Sequence, residues 1–245
     1  MGRMVLDCAA ERDDAEVSAA VDHPRSPLLG TAVSDVTVTS DVAAGLAGSE
    51  VYIDFTTPEA TAAAARAAAS SKTAAVIGTT GLTDDGLAAL DALADVAPVL
   101  VAANFSLGVN LLINLAEIAA RALAGYDLEV VELHHRRKRD APSGTAIAVA
   151  EALARGRGVG YDQSKLYARA GDVGPRTDDE IGVFAVRGGD IIGEHTAYLV
   201  GDKERIELTH RAGSRAIFAD GALTAACWLA GKAPGRYSMR DVLEL

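Results

Sequence analysis

Between Val51 and Leu123 short apolar runs alternate with helix-length stretches, and this alternation limits the chain to a small set of folds. Val51–Phe55, Ala74–Ile77 and Val99–Ala102 have the composition of strands, and a helical signal follows each one. Thr57-Pro58-Glu59 combines a capping hydroxyl, a proline suited to a first turn and an acid that complements the helix dipole. The alanine-rich stretch to Ala69 continues that helix. Thr83 with Asp84 and Asp85 opens another, and an amphipathic helix runs from about Leu107 to Leu123. Upstream, Glu16–Val21 reads as a strand ending at Asp22. Strands separated by helices are βα units around a parallel sheet. Ligands of such sheets sit beyond the carboxyl ends of the strands, so the turns after Ile77 and Ala102 are the places to expect one.

The second half changes character. Leu128–Leu133 reads as a strand, a basic run follows, and a helix spans about Ser143 to Ala154. Gly156 to Asp179 is polar and irregular, which predicts a loop. Ile181–Arg187, Glu194–Val200 and Arg205–Arg211 read as strands separated by Gly-Gly-Asp and Gly-Asp-Lys turns. Such short connections imply antiparallel pairing. Ala216 to Gly231 has apolar residues at helical spacing. The pattern is a parallel α/β domain joined to a smaller domain with a mostly antiparallel sheet.

The 245 residues are enough for two domains with real cores. A net charge of −11 argues against a nucleic-acid partner, which needs a broad basic surface. The acidity and the scarcity of lysine fit a GC-rich genome or a salty cytoplasm. No apolar run is long enough to cross a bilayer and no secretory stretch follows Met1, so a cytoplasmic protein without a membrane partner is expected. Cys8 and Cys227 lie far apart without ligand spacing, so no metal site is expected and both read as small buried apolar residues.

The most informative segment is His134-His135-Arg136-Arg137-Lys138-Arg139-Asp140-Ala141-Pro142-Ser143-Gly144-Thr145. Six basic or imidazole side chains stand together in an acidic protein, between a strand end and a helix start. A helix N-terminus offers free N–H groups and the positive end of a dipole. Gly144 permits close approach to the backbone, and Ser143 and Thr145 add hydroxyl donors. The set suits a small dicarboxylate, with one carboxylate on the Ser143–Thr145 amides and the other near Lys138 or His135. A histidine beside it could deliver a proton near neutral pH. A solvated basic loop capped by Ser143 explains the same spacing equally well. Strand alternation also means that His134 and His135 do not both face one site by default.

The stretch Glu132–Ala146 resembles the signature of the dihydrodipicolinate reductase family. Ile53–Thr56, Val76–Gly81, Ala102–Ser106, Gly189–Thr196, Thr209–Arg215 and the tail Met239–Leu243 are also similar to family blocks, in family order. The resemblance implies a Rossmann-like dinucleotide-binding domain over 1–105 and 216–245. It implies a substrate-binding and tetramerising α+β domain over 106–215. It implies NAD(P)H-dependent reduction of 4-hydroxy-tetrahydrodipicolinate with loss of water, in the diaminopimelate route to lysine, by a homotetramer. His134 matches the proton donor and Lys138 a second catalytic group. His135, Ser143, Gly144 and Thr145 match substrate-binding positions, and Arg215 matches a substrate or hinge position. Gly78, Thr79, Thr80, Ala102, Ala103, Asn104 and Phe105 match loops around the cofactor. His195 and His210 read as structural, and Asp54 as a local hydrogen-bond acceptor.

The family's first strand and glycine-rich turn lie under the cofactor pyrophosphate. Here Met1-Gly2-Arg3-Met4 reads as the end of that turn, which makes Gly2, Arg3 and Met4 cofactor contacts and suggests a shortened start. Asp22 lies about 20 residues after Gly2, the spacing of an acidic ribose ligand. An acid there favours NADH, while His23 and Arg25 leave room for NADPH. Two alternatives stand beside the reductase: another Rossmann-type small-acid dehydrogenase, and a truncated remnant without catalysis.

Overall fold

The computed structural model describes residues 1–33 and 35–245. The chain divides into two compact units, Met1–Leu107 with Ala216–Leu245, and Gly108–Arg215.

The first unit begins with α1 (Gly2–Ala9), β1 (Ala20–Val21), β2 (Ala32–Val33), β3 (Val36–Thr39) and α2 (Val42–Leu46). The βα series follows as β4 (Val51–Asp54), α3 (Pro58–Ser71), β5 (Ala74–Ile77), α4 (Asp84–Ala94) and β6 (Pro98–Val101). As expected, Thr57 and Thr83 cap α3 and α4 by accepting from Ala60 and Gly86 N–H. β4, β5 and β6 pair in parallel. β5 is buried along its whole length because the sheet is covered twice. Ala75 and Ile77 pack in one apolar cluster with residues of α3 and α4. Ala74 and Val76 pack in another with a later helix, described below.

The second unit contains most of α5 (Leu107–Ala122), then β7 (Asp127–His134), α6 (Gly144–Arg157), α7 (Tyr161–Ser164), β8 (Lys165–Leu166), β9 (Ile181–Arg187), β10 (Glu194–Val200) and β11 (Arg205–Arg211). The chain then returns to the first unit with α8 (Ala216–Leu229), β12 (Gly235–Tyr237) and α9 (Met239–Val242). α8 supplies Ala222, Ala225, Ala226 and Leu229 to the second cluster over β5, and β12 extends the parallel sheet beyond β6. Among the described residues no helix is long and apolar enough to cross a membrane.

Four details depart from the expectations. Only Ala20–Val21 of Glu16–Val21 forms a strand, and it pairs with β3 in a small separate sheet. Gly2, Arg3 and Met4 form the first turn of α1 rather than the end of a glycine-rich turn. Arg3 pairs with Asp7 at 3.0 Å one turn on, and Met4 packs with α8 residues Ala219 and Leu223. The polar stretch from Gly156 holds the end of α6, then α7 and β8 before the irregular part. Finally, β9 and β10 are not a hairpin.

The sheet order in the second unit is β11-β10-β7-β9-β8, so β7 lies between β9 and β10. β7, β10 and β11 form the antiparallel ladder, while β9 joins β7 in parallel and β8 joins β9 in parallel. Residues 188–193 therefore cross the carboxyl end of β7. Gly188 N–H donates to His134 O at 3.0 Å and Arg136 N–H to Gly189 O at 3.2 Å.

One face of this sheet is covered by α6. Leu128 and Val130 of β7, Ile181 and Val183 of β9, and Ala197 and Leu199 of β10 pack there with Val149 and Leu153. α5 closes on α6 so tightly that a Cβ on Gly156 would lie 2.9 Å from Ala120 Cβ and on the Glu117 carbonyl. Helix propensity alone favours Gly156→Ala by about 1 kcal/mol. We expect the opposite sign, a loss of 1 kcal/mol or more from overpacking, read from urea unfolding midpoints at constant slope.

Candidate active site

The apolar face of β7, β9 and β10 turns polar at one end. Alternation puts Glu132 and His134 on the same side as Leu128 and Val130. Register places Arg187 opposite His134, His195 opposite Glu132, and His210 opposite His195. A polar row thus crosses four strands.

Glu132 is 0% exposed. Its Oε1 accepts from Arg187 Nη2 at 2.8 Å and from Ser143 N–H at 3.0 Å. Its Oε2 accepts from Arg187 Nη1 at 2.9 Å and lies 2.5 Å from His134 Nδ1. His134 is itself 9% exposed, and its ring meets that of His195 edge to face at 5.2 Å. A Cβ on Gly193 would lie 2.9 Å from His134 Nε2, so only glycine leaves that nitrogen its space.

Ser143 caps α6, accepting from Ala146 N–H at 3.1 Å, while its hydroxyl shares a 3.0 Å hydrogen bond with His195 Nε2. Gly144 is exposed, with nothing within 4 Å of where a Cβ would stand. The start of α6 thus presents open backbone next to the polar row. Lys138 is held by a 2.8 Å pair to Asp140 and by its own N–H donating to His135 O. His135 follows β7, with a buried Nδ1 that has no hydrogen-bond partner among the described residues. The structure thus places His134, Lys138, His135, Ser143, Gly144 and Thr145 within one strand–turn–helix segment of one unit. Arg215 is exposed at the end of that unit, after β11.

The remaining sequence-derived residues lie in the other unit. Asp54, at the end of β4, is buried and accepts from Thr56 N–H at 2.8 Å, Thr56 Oγ1 at 2.5 Å and Thr79 Oγ1 at 3.2 Å. This ties the loop after β4 to the one after β5. A Cβ on Gly78 would run into the Phe55 ring, which meets Phe105 edge to face at 5.5 Å. Asn104 Oδ1 accepts from Ser106 N–H at 2.8 Å, while Thr80 and Ala103 are exposed. Ala102 N–H donates to Ile77 O at 3.0 Å. Asp22 follows β1, its oxygens accepting from His23 N–H at 2.7 Å and Ser26 Oγ at 2.6 Å.

Comparison with known proteins decides among the alternatives. The family profile "Dihydrodipicolinate reductase, N-terminus" matches residues 1–105, and the C-terminus profile of the same family matches residues 108–243. The chain belongs to the dihydrodipicolinate reductase family. The 4-hydroxy-tetrahydrodipicolinate reductases of Alkalilimnicola ehrlichii and Thiobacillus denitrificans are 48% and 49% identical over 254 and 253 residues, covering 100% of this chain and 95% of each relative. A dipicolinate-bound dihydrodipicolinate reductase from Paenisporosarcina superposes with a TM-score of 0.79 at 26% identity, over 97% of this chain and 92% of that one. As a member of this family the chain is an oxidoreductase, a 4-hydroxy-tetrahydrodipicolinate reductase of lysine biosynthesis.

Two groups central to this reductase's polar row were missed as site residues in the sequence. Glu132 and Arg187 carry a weak signal: an acid two residues before a strand histidine shares its face, but its partner on β9 depends on strand order. His195, expected to be structural, is buried beside His134 and bonded to Ser143. Burial alone would raise the Glu132 carboxyl. Hydrogen bonds from Arg187 and His134 outweigh that and hold it below the usual carboxylate range. Burial lowers His134, and Lys138 and Arg187 lower it further against the pull of Glu132.

Burial also pushes His195 down from 6.5 to about 4, with the His134 charge adding to the effect. The folded protein therefore refuses a proton that the unfolded chain accepts below 6.5. Stability from this residue is full above that pH and is lost as pH falls towards 4, by roughly 3 kcal/mol in all at about 1.4 kcal/mol per pH unit. We expect unfolding free energies measured from about pH 7 to about pH 4 to show this slope. His195→Gln should flatten part of it.

Proposed function

We propose that His134 is the proton donor of the reduction and Lys138 its second catalytic group, acting on a dicarboxylate held by the start of α6. The observation that carries this is the mounting of His134. Nδ1 is fixed on a buried carboxylate and Nε2 faces the space that Gly193 leaves. An imidazole so held gains and loses its proton at Nε2 alone. Its lowered basicity makes the protonated form a stronger acid, and the negative charge of a bound dicarboxylate favours that form.

The Ser143–Thr145 backbone at the helix start suits one substrate carboxylate. Lys138 and His135 suit the other, with Arg215 a further contact. Reduced nicotinamide supplies the hydride that the ring receives at C4 once water has left. The electron-rich ring that results needs one proton, which His134 is placed to give while Lys138 offsets the substrate's negative charge.

The residues of the first unit fit a nicotinamide nucleotide. Gly78 lets the loop after β5 pass close against the Phe55 ring, and Asp54 locks that loop to its neighbour through Thr79. Gly2, Arg3 and Met4 at the start of α1, with Thr79, Thr80, Ala102, Ala103, Asn104 and Phe105, would hold it. The Asp22 carboxylate is kept ionised by the Ser26 hydroxyl and the His23 N–H. Its spare lone pairs suit ribose hydroxyls and its charge repels a 2′-phosphate, which supports a preference for NADH. His23 and Arg25 leave some use of NADPH.

The sheet face away from α6 supports a homotetramer built on this unit. Val186 is 46% exposed there and β11 is an edge strand. Light scattering should give the mass of four chains. Substrate made in situ by the preceding synthase and loss of reduced-nucleotide absorbance test the chemistry. We expect His134→Gln to lose ~10²–10⁴-fold in kcat, the range of a general acid, with KM little changed. The wild-type kcat/KM should be higher with NADH than with NADPH. A His134→Gln enzyme near wild-type rate would remove His134 from the acid role.

A further inference from the structure

We propose that Arg187 is a positioning residue that acts through Glu132 to fix which nitrogen of His134 titrates and at what pH. The inference rests on the assignment of His134 as the acid.

A carboxyl group with no exposed surface takes up a proton unless it is paired. A protonated Glu132 could donate to His134 Nδ1, and the imidazole N–H would then sit on Nε2 in a neutral ring, which is a very poor acid. An ionised Glu132 does the reverse: it accepts from Nδ1–H and leaves Nε2 as the titrating nitrogen. Arg187 selects the second state. Its Nη1 and Nη2 meet both carboxylate oxygens at 2.9 and 2.8 Å, a two-pronged charged pair that favours the ionised carboxylate.

Arg187 is fixed from behind as well. Nη1 donates to its neighbour's carbonyl at Val186 at 2.8 Å, and Nη2 to Asp140 O at 2.7 Å, in the turn that leads to Ser143. The guanidinium thus joins β9, β7 and the approach to α6. Around His134 the charged and titratable groups are Glu132 on its own strand, Arg187 on β9, Lys138 in the following turn and His195 on β10. Of these Arg187 alone bridges both Glu132 oxygens.

The two partners push His134 in opposite directions. The Glu132 charge favours the imidazolium and the Arg187 charge disfavours it. The rate falls at alkaline pH as His134 loses its proton, so the alkaline limb of kcat reports this balance. Arg187→Gln should move that limb up by about one pH unit, and Glu132→Gln should move it down by a similar amount. Both should lower kcat ten-fold or more while changing KM less than three-fold. Because Arg187 acts through Glu132, the double variant should resemble Glu132→Gln alone rather than show the summed loss. Imidazole titration by NMR in the intact enzyme should show the same two displacements without relying on turnover. Arg187→Lys keeps the charge without the two-pronged fork, and should hold the limb in place with reduced kcat.

An unmoved limb in Arg187→Gln and Glu132→Gln, with activity falling only in step with thermal stability, overturns the proposal. So does a double variant whose losses add. If Arg187→Gln does not fold, Glu132→Gln and Arg187→Lys decide the matter by the same limb positions. An inert His134→Gln with an unmoved limb in the Arg187 variant sinks this inference alone. An active His134→Gln sinks the assignment beneath it.

Discussion

A carboxylate with no contact with water cannot exist in a folded chain unless its charge is met from several sides, and Glu132 is that group here. It receives the Arg187 guanidinium, the His134 imidazole and the Ser143 amide. These come from β9, β7 and the cap of α6, so the ion pair also sets how those three segments meet. Removing one partner leaves a buried charge uncompensated, which costs more than the lost contact. The four residues are therefore a set in which a change at one alters the surroundings of the others.

The face that carries this set serves two purposes along one strand pair. At the end of β7 nearest Asp127, Leu128 and Val130 pack with α6. Two and four residues beyond Val130, the same alternation presents Glu132 and His134. β7 then turns through the basic run, and Ser143 starts α6 back across the sheet it came from. The start of the covering helix consequently lies at the polar end of the face, with its free amides and dipole at the place where an anion is needed. In the first unit the loops at strand ends are tied in a comparable way, by Asp54 accepting from Thr56 and Thr79.

Much of this was legible in the residues. The second-unit strands Ile181–Arg187, Glu194–Val200 and Arg205–Arg211 follow from alternating apolar residues between glycine turns. The capping threonines announce α3 and α4. The segment His134–Thr145 stands out by charge and by its helix-start chemistry. What was not legible depends on contacts distant in sequence. Glu16–Val21 has strand composition, but only the residues that find a partner in β3 become a strand. Gly2–Met4 reads as a turn because glycine and a family block suggest one, yet an amphipathic face that packs on Ala219 and Leu223 makes it helix. Arg187 could not be singled out, since its importance comes from standing opposite His134, which depends on strand order.

Strand order is the deepest of these long-range facts. A six-residue link between β9 and β10 suggests a hairpin, but strands lie about 4.8 Å apart, and six residues are enough to step over one strand. β7, placed earlier in the chain, fills the gap. Had β9 and β10 paired directly, Arg187 would have been a neighbour of β10, and Glu132 would have lost the guanidinium that keeps it ionised. With β7 between them, β9 brings Arg187, β10 brings His195, and the crossing link brings Gly193 against His134 Nε2. β7, as a central strand, thus has its Glu132 charge met from β9 and its His134 ring packed from β10, which an edge strand with one neighbour could not have.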